Sequence, residues 1–143
     1  MKPELVNCII PVYNRSRFLG EAVESVLSQT YRPIEIIIVD DGSTDDTPRQ
    51  IRQLVGKAPD VIRSIRIKNS GPGGAREAGL RLSRGEYVQY LDSDDLLMHH
   101  KFEIQVKALR GNPECGVAYG ITRLVDENGR ELQCPYKASG EKR

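Results

Sequence analysis

The chain has 143 residues, 38% of them hydrophobic and 29% charged, with 21 basic against 20 acidic side chains. That length fits one domain with a buried core and no need of a metal or disulfide staple, and the near-zero net charge excludes the strong basic footprint of a nucleic-acid-binding protein. Interspersed charge argues against a disordered tail, and apolar stretches such as residues 34–39 fall far short of the roughly 18 residues of a membrane span.

The opening Met1-Lys2-Pro3-Glu4 leads straight into a strand-like run, unlike a signal peptide, and points to a cytoplasmic protein. Residues 5–11 (LVNCIIP) read as a buried strand. Ser16 is positioned to cap a helix whose inner face is Leu19, Ala22, Val23, Val26 and Leu27, spaced at i, i+3, i+4, i+7 and i+8. Residues 34–40 (IEIIIVD) are β-branched and nearly continuous, as a central parallel strand requires. They stop at the turn cluster Asp40-Asp41-Gly42-Ser43, and a second helix follows from about Thr47, with Pro48 in its first turn and Ile51, Leu54 and Val55 inward.

Residues 61–67 are predicted as a third strand and residues 69–74 as a glycine-rich loop. A third helix then packs through Ala75, Ala78, Gly79 and Leu82. Residues 87–91 form a fourth strand, ending in Asp92-Ser93-Asp94-Asp95. The fourth helix carries Met98, Phe102, Val106 and Leu109 inward and stops at Gly111-Asn112-Pro113. Residues 117–125 read as a longer strand that Asn128-Gly129 reverses into residues 130–133, a hairpin. Strands separated by single helices imply a parallel sheet with helices on both faces. Cys8, Cys115 and Cys134 have no C-x-x-C spacing and read as inert thiols rather than zinc ligands.

Open α/β sheets bind ligands beyond the carboxyl ends of their strands. Two of those ends carry adjacent acids here, Asp40-Asp41 and Asp92-Ser93-Asp94-Asp95. Concentrating carboxylates on one edge is costly without a cation, and a hard divalent metal with a phosphate ligand is the natural partner. Asp92 and Asp94 are two apart and would project to one side of an extended strand end, and Arg76 can add positive charge at the same edge. Each element alone is ordinary turn or capping chemistry; their conjunction at successive strand ends is what points to a site. The first strand leads into PVYNRS with no glycine fingerprint, no G-K-[ST] occurs, and no acid pair ends the first strand. Dinucleotide, P-loop and receiver-type sites are thereby disfavoured.

Four ordered segments, IIPVYNR (9–15), IVDDGSTDDT (38–47), NSGPGGAREAGL (69–80) and GEYVQYLDSDDLL (85–97), together resemble the nucleotide-sugar-binding half of family 2 glycosyltransferases. The resemblance implies the GT-A fold: a three-layer α/β/α, Rossmann-like domain with a mostly parallel central sheet and a C-terminal antiparallel hairpin. Residues 1–135 would be its donor-binding part and residues 136–143 a polar tail.

By the same resemblance, Pro11, Val12 and Tyr13 line the pocket for the base, with Tyr13 stacking on it. Asp41 accepts a hydrogen bond from a uracil-like ring, Asp40 supports the turn, and Arg76 approaches the base or the diphosphate. Asp92-Ser93-Asp94 is the D-x-D element, with Asp92 near the ribose, Ser93 beside the nucleotide sugar and Asp94, together with Asp92, on a divalent Mn²⁺ or Mg²⁺. Asp95 caps the next helix. The implied reaction is inverting, metal-dependent transfer from a UDP-linked sugar to a glycan, lipid-linked or protein acceptor, as in building cell-envelope polysaccharide. The general base is expected downstream of Arg143, since Glu127, Glu131 and Glu141 do not match its context. Downstream segments could also hold the chain at the cytoplasmic face of a membrane. The alternatives are a nucleotide-sugar-binding module without catalysis, and a Mg²⁺-dependent phosphohydrolase on a similar sheet.

Overall fold

The computed structural model describes residues 1–126 and 128–132. In chain order the elements are β1 (Lys2–Val12), α1 (Ser16–Leu27), β2 (Ile34–Asp40), α2 (Thr47–Lys57), β3 (Ile62–Arg66), α3 (Gly71–Leu82), β4 (Gly85–Tyr90) and α4 (Lys101–Gly111). The four strands make one parallel sheet in the order β3-β2-β1-β4. This is the α/β architecture that the alternation of strands and helices predicts.

β2 is buried along its whole length, which is why its sequence runs Ile34-Glu35-Ile36-Ile37-Ile38-Val39 rather than alternating. Side chains of β1 and β2 separate by parity into two cores. Val6, Cys8, Ile10 and Val12 join Ile34, Ile36 and Ile38 under α1, α2 and α4, with Leu19, Val23, Val26, Ile51, Phe102 and Val106 closing that face. Ile9, Ile37 and Val39 face the opposite way, where Ala75 of α3 covers them. α3 lies close to the sheet because Gly79 has no side chain: a Cβ there would overlap Cγ2 of Ile9 and press on Cγ2 of Val39 at 3.2 Å.

One ionic cluster is sunk among the strands at the opposite end from the strand carboxyl ends. Asn7 and Glu35 are register partners on β1 and β2, and Asn7 Nδ2 donates to Glu35 Oε2 at 2.6 Å. Arg84 bonds the same carboxylate, Arg63 lies 3.5 Å from it, and Asn7 Oδ1 accepts the backbone N–H of Arg84 at 2.9 Å. The pair is therefore satisfied, as buried polar groups must be. Burial by itself would raise the Glu35 carboxyl's pKa, but the hydrogen bonds from Arg84 and Asn7 outweigh it and hold the group below its ordinary value.

Several expectations change. α3 begins at Gly71, so the glycines read as a loop form its first turn. α4 begins only at Lys101, and Met98 lies before it and is 72% exposed rather than inward. Residues 117–124 form no strand; Val117, Tyr119 and Ile121 are exposed and pair with nothing among the described residues. Among the described residues the predicted hairpin reduces to a single antiparallel bridge, Val125 with Glu131, around a turn in which Gly129 N–H donates to Asp126 O at 3.0 Å. Gln133, Cys134, the tail at 136–143 and the candidate acids Glu127 and Glu141 lie outside the described residues. Cys8 is buried as expected, but Cys115 is exposed. No helix among the described residues is long and apolar enough to cross a membrane.

Candidate functional site

The strand order fixes where a site can form. From β1 the chain steps outward to β2 and β3, then returns to the other side of β1 for β4. Right-handed crossovers that reverse direction place their helices on opposite faces, so the topological switch point, where such sheets bind ligands, lies between the carboxyl ends of β1 and β4. Tyr13 follows β1 there, 48% exposed, and Asp92 to Asp95 follow β4.

The neighbouring end, of β2, is a hydrogen-bonded hub. Asp40 Oδ1 accepts the Ser43 N–H at 2.8 Å, and Oδ2 lies 3.3 Å from Arg66 Nη1. Arg66 Nη2 also donates to Ser43 O at 2.7 Å, so the end of β3 braces the turn after β2. Asp41 turns the other way. Its Oδ1 accepts the N–H of Ser70 at 2.7 Å and its Oδ2 that of Gly71 at 2.9 Å. These are donors at the start of α3 that no side chain of the helix's own first turn takes. Gly71 has φ +78°, a conformation glycine adopts without steric cost, and that bend helps aim its N–H at Asp41.

The loop after β1 is sewn to the loop after β2. Asn14 sits at φ +51°, where asparagine is tolerated. Its Oδ1 accepts the N–H groups of Thr44 at 2.8 Å and Asp45 at 3.4 Å, while its own N–H donates to Ser43 Oγ at 3.0 Å. The Arg15 N–H reaches Thr47 Oγ1 at 3.2 Å, and the Ser16 N–H reaches Asp45 Oδ2 at 3.4 Å. Ser16 is thus the first residue of α1 rather than its cap, and Asp45 from the other loop does the capping. Slight burial works to raise the Asp45 pKa, but bonds from Thr47 and Ser16 outweigh it and hold the carboxyl low.

Beyond β4 the chain turns tightly: the Asp95 N–H donates to Asp92 O at 3.0 Å. Asp92 and Asp94 therefore do not project in parallel from an extended strand, and each meets a different arginine. Arg76, in the second turn of α3, donates from Nη2 to Asp92 Oδ1 at 2.5 Å. Arg15, after β1, brings Nε to 3.7 Å from Asp94 Oδ2. Asp95 caps no helix, since α4 starts six residues later; burial, then the negative charge of Asp92 and Asp94, pushes its pKa up.

Of the residues singled out from sequence, Tyr13 stands open after β1, Asp92 and Asp94 stand open after β4 with Arg76 on Asp92, and Ser93 between the two acids in sequence is buried. Asp41 is buried with both oxygens occupied. Pro11 and Val12 are buried strand residues, Val12 within the larger core, and lead directly into Tyr13. Sequence reasoning missed Asn14, Arg15, Asp45 and Arg66. The first two were visible only as the polar residues after PVY, and their partners lie about thirty or more positions away.

The chain matches the family described as glycosyl transferase family 2 over residues 7–138. The chain belongs to glycosyl transferase family 2. It is 41% identical over 127 residues to an uncharacterized glycosyltransferase of Nostoc sp. (strain PCC 7120), covering 89% of this chain and 39% of that protein. A crystal structure of S. aureus TarS 1-349 in complex with UDP-GlcNAc is 28% identical with TM-score 0.68, over 76% of this chain and 32% of that one. The mannosyltransferase PcManGT from Pyrobaculum calidifontis, in complex with GDP-Man and Mn²⁺, is 30% identical with TM-score 0.60, over 64% of this chain and 28% of that one. The chain thus spans well under half the length of these relatives. The α/β fold of this family 2 chain, with its parallel sheet, is that of the GT-A glycosyltransferases.

The donor atoms at the switch point suit a hard divalent cation. Asp92 and Asp94 offer half-exposed carboxylate oxygens. Among the described residues, no three His, Cys, Asp or Glu side chains converge as a metal cage. A cation here would be held by one or two carboxylates and complete its shell from phosphate oxygens, a mode typical of Mg²⁺.

Proposed function

We propose that this chain is the donor-binding part of a glycosyltransferase that uses a UDP-linked sugar and a divalent metal and transfers the sugar with inversion. The observation that carries the reading is that the carboxyl ends of β1 and β4 carry an exposed aromatic ring, Tyr13, and two carboxylates each matched to an arginine. The ring is the surface for a nucleobase to stack on. Asp41, held against the start of α3, keeps lone pairs free beyond the two it gives to Ser70 and Gly71, and one of them accepts an N–H of the base. Asp92 serves the ribose, Ser93 packs beneath, and Asp94 with Asp92 holds the cation, Mn²⁺ or Mg²⁺. That cation supplies Lewis-acid stabilisation of the departing diphosphate.

As the bond from sugar C1 to the diphosphate oxygen breaks, negative charge grows on the leaving group. Arg76 is placed to stabilise it, since preorganised charge at such an edge supplies several kcal/mol, of order 2.7–4 for a single donor in other enzymes. The acceptor hydroxyl attacks C1 from the opposite face and gives its proton to a carboxylate base. We place that base, and the recognition of a glycan, lipid-linked or protein acceptor, in the acceptor-binding part of the whole enzyme, working at the cytoplasmic face of the membrane.

The test is calorimetric titration of UDP and GDP into the chain with and without Mn²⁺, beside Asp94→Ala. UDP should bind more tightly than GDP and more tightly with metal, and Asp94→Ala should remove the metal-dependent part. UDP binding that ignores both metal and the substitution would overturn the reading.

A further inference from the structure

Two arginines from different parts of the fold converge on one acidic turn. Arg76 has a part in the proposed chemistry; Arg15 has none so far. Its backbone is fixed on both sides, by Asn14 in its left-handed bend and its own N–H on Thr47 Oγ1 before it, and by the Ser16 N–H on Asp45 Oδ2 after it. The side chain leaves that anchored loop and crosses the switch point from the β1 side to the β4 side, ending 3.7 Å from Asp94. Both partners are about half exposed, and open pairs of this kind contribute little to stability. A weak pair between the loop after β1 and the turn after β4, on a firmly held backbone, has the features of an exchangeable contact.

Electrostatics then gives Arg15 two alternative partners. Three acids, Asp92, Asp94 and Asp95, share this turn with two arginines reaching it from outside, and among the described residues only Asp92 and Asp94 have one each. A dication taking Asp94 repels the guanidinium beside it, and Asp94 cannot serve both cations equally well. An arginine released there meets the other charged group that the donor brings, the diphosphate, for which a guanidinium fork is well suited.

We propose that Arg15 is a placeholder for the metal: it neutralises Asp94 in the empty site and moves to the diphosphate when cation and nucleotide bind. This rests on the reading of the switch point as a nucleotide-sugar site. Arg15 is accordingly a competitor of the metal when alone and an ally of the nucleotide when both are present. Those opposite signs separate the exchange from a merely structural role, which would move both affinities together or neither.

The experiment compares the unsubstituted chain with Arg15→Gln, Arg15→Lys and Asp94→Ala, with circular dichroism melts to check that each is folded. Free Mn²⁺ is followed by its electron paramagnetic resonance signal without nucleotide, and UDP and uridine are then titrated at saturating Mn²⁺. Arg15→Gln should bind Mn²⁺ alone about two- to five-fold more tightly, the range set by an exposed ion pair. It should bind UDP about ten-fold more weakly, on the scale of one charge-assisted hydrogen bond, and uridine unchanged. Arg15→Lys, with charge but no fork, should keep the original Mn²⁺ affinity and lie between the two for UDP. Mn²⁺ affinity that is unchanged or lower in Arg15→Gln, or an equal loss for UDP and uridine, overturns the exchange. If instead the unsubstituted chain shows no Asp94-dependent Mn²⁺ or UDP binding, the reading of the site itself fails.

Discussion

The carboxylate of Asp41 accepts the Ser70 N–H at 2.7 Å. With the Gly71 N–H on its other oxygen, this acid joins the end of β2 to the start of α3. It thereby links the position of the β2 turn to that of Arg76, one and a half helical turns further on. Asp41→Asn keeps one acceptor oxygen but turns an NH₂ donor toward one of the two N–H groups. The expected cost is about 1–3 kcal/mol, the penalty for leaving a buried hydrogen-bonding group unsatisfied. At roughly 2–4 °C per kcal/mol for a domain of about this size, thermal melting should read a clear drop. A variant as stable as the parent would show that the helix start does not depend on this acid.

Gly79 tests how closely α3 must approach the sheet. An alanine in an exposed helix would gain up to about 1 kcal/mol over glycine. Here the new methyl meets Ile9 and Val39, and overpacking of this kind costs about 1–3 kcal/mol. Gly79→Ala should therefore unfold at lower urea concentration than the parent; a higher midpoint would mean that α3 can lift off without penalty.

The Glu35 cluster sets a pH dependence. Its folded carboxyl sits below the ordinary glutamate value, so the unfolded chain takes up this proton more readily. The resulting stability is fully present above the ordinary value and is lost as pH falls through it toward the lower folded value. Glu35→Gln should be destabilised at neutral pH by about 1.5–3 kcal/mol, the scale of hydrogen bonds to a charged group. The gap between parent and variant urea midpoints should close below about pH 4. A gap constant from pH 7 to pH 3 would assign the cluster's contribution to shape instead of charge.

The thiols should separate by position. Burial pushes the Cys8 pKa far up, against a small opposing effect of Lys101, and a thiol without thiolate character is inert. Cys115 is exposed. Brief alkylation of the native chain followed by peptide mapping should label Cys115 and spare Cys8, and adding urea should bring Cys8 into reaction. Equal labelling of both without denaturant would contradict the placement of β1 in the core.

The parts of the fold legible in sequence were those whose burial writes itself into a period. β2 reads as a continuous apolar run because both its faces are covered, and α1 shows its buried stripe at Leu19, Ala22, Val23 and Val26. Residues 117–121 place Val117, Tyr119 and Ile121 at every second position, yet all three remain exposed. Alternation states which side chains want cover, not what covers them. At the site, acids at strand ends were recognisable because the ends of strands are. Their partners were not: the pairings of Asp94 with Arg15, Asp40 with Arg66 and Asn14 with Thr44 depend on the 3-2-1-4 strand order. No local pattern encodes that order.

The stitching of the loop after β1 to the loop after β2, through Asn14, Thr44, Asp45 and Thr47, bears on how a ligand is received. The chain freedom of these loops is already lost when the sheet forms, so little of it has to be given up on association. Under the proposed function, donor capture on this side would resemble a key meeting a finished lock, with adaptation left to the acidic turn after β4. A substitution that loosens the stitching would then slow capture and shorten residence without altering a single group that touches the ligand.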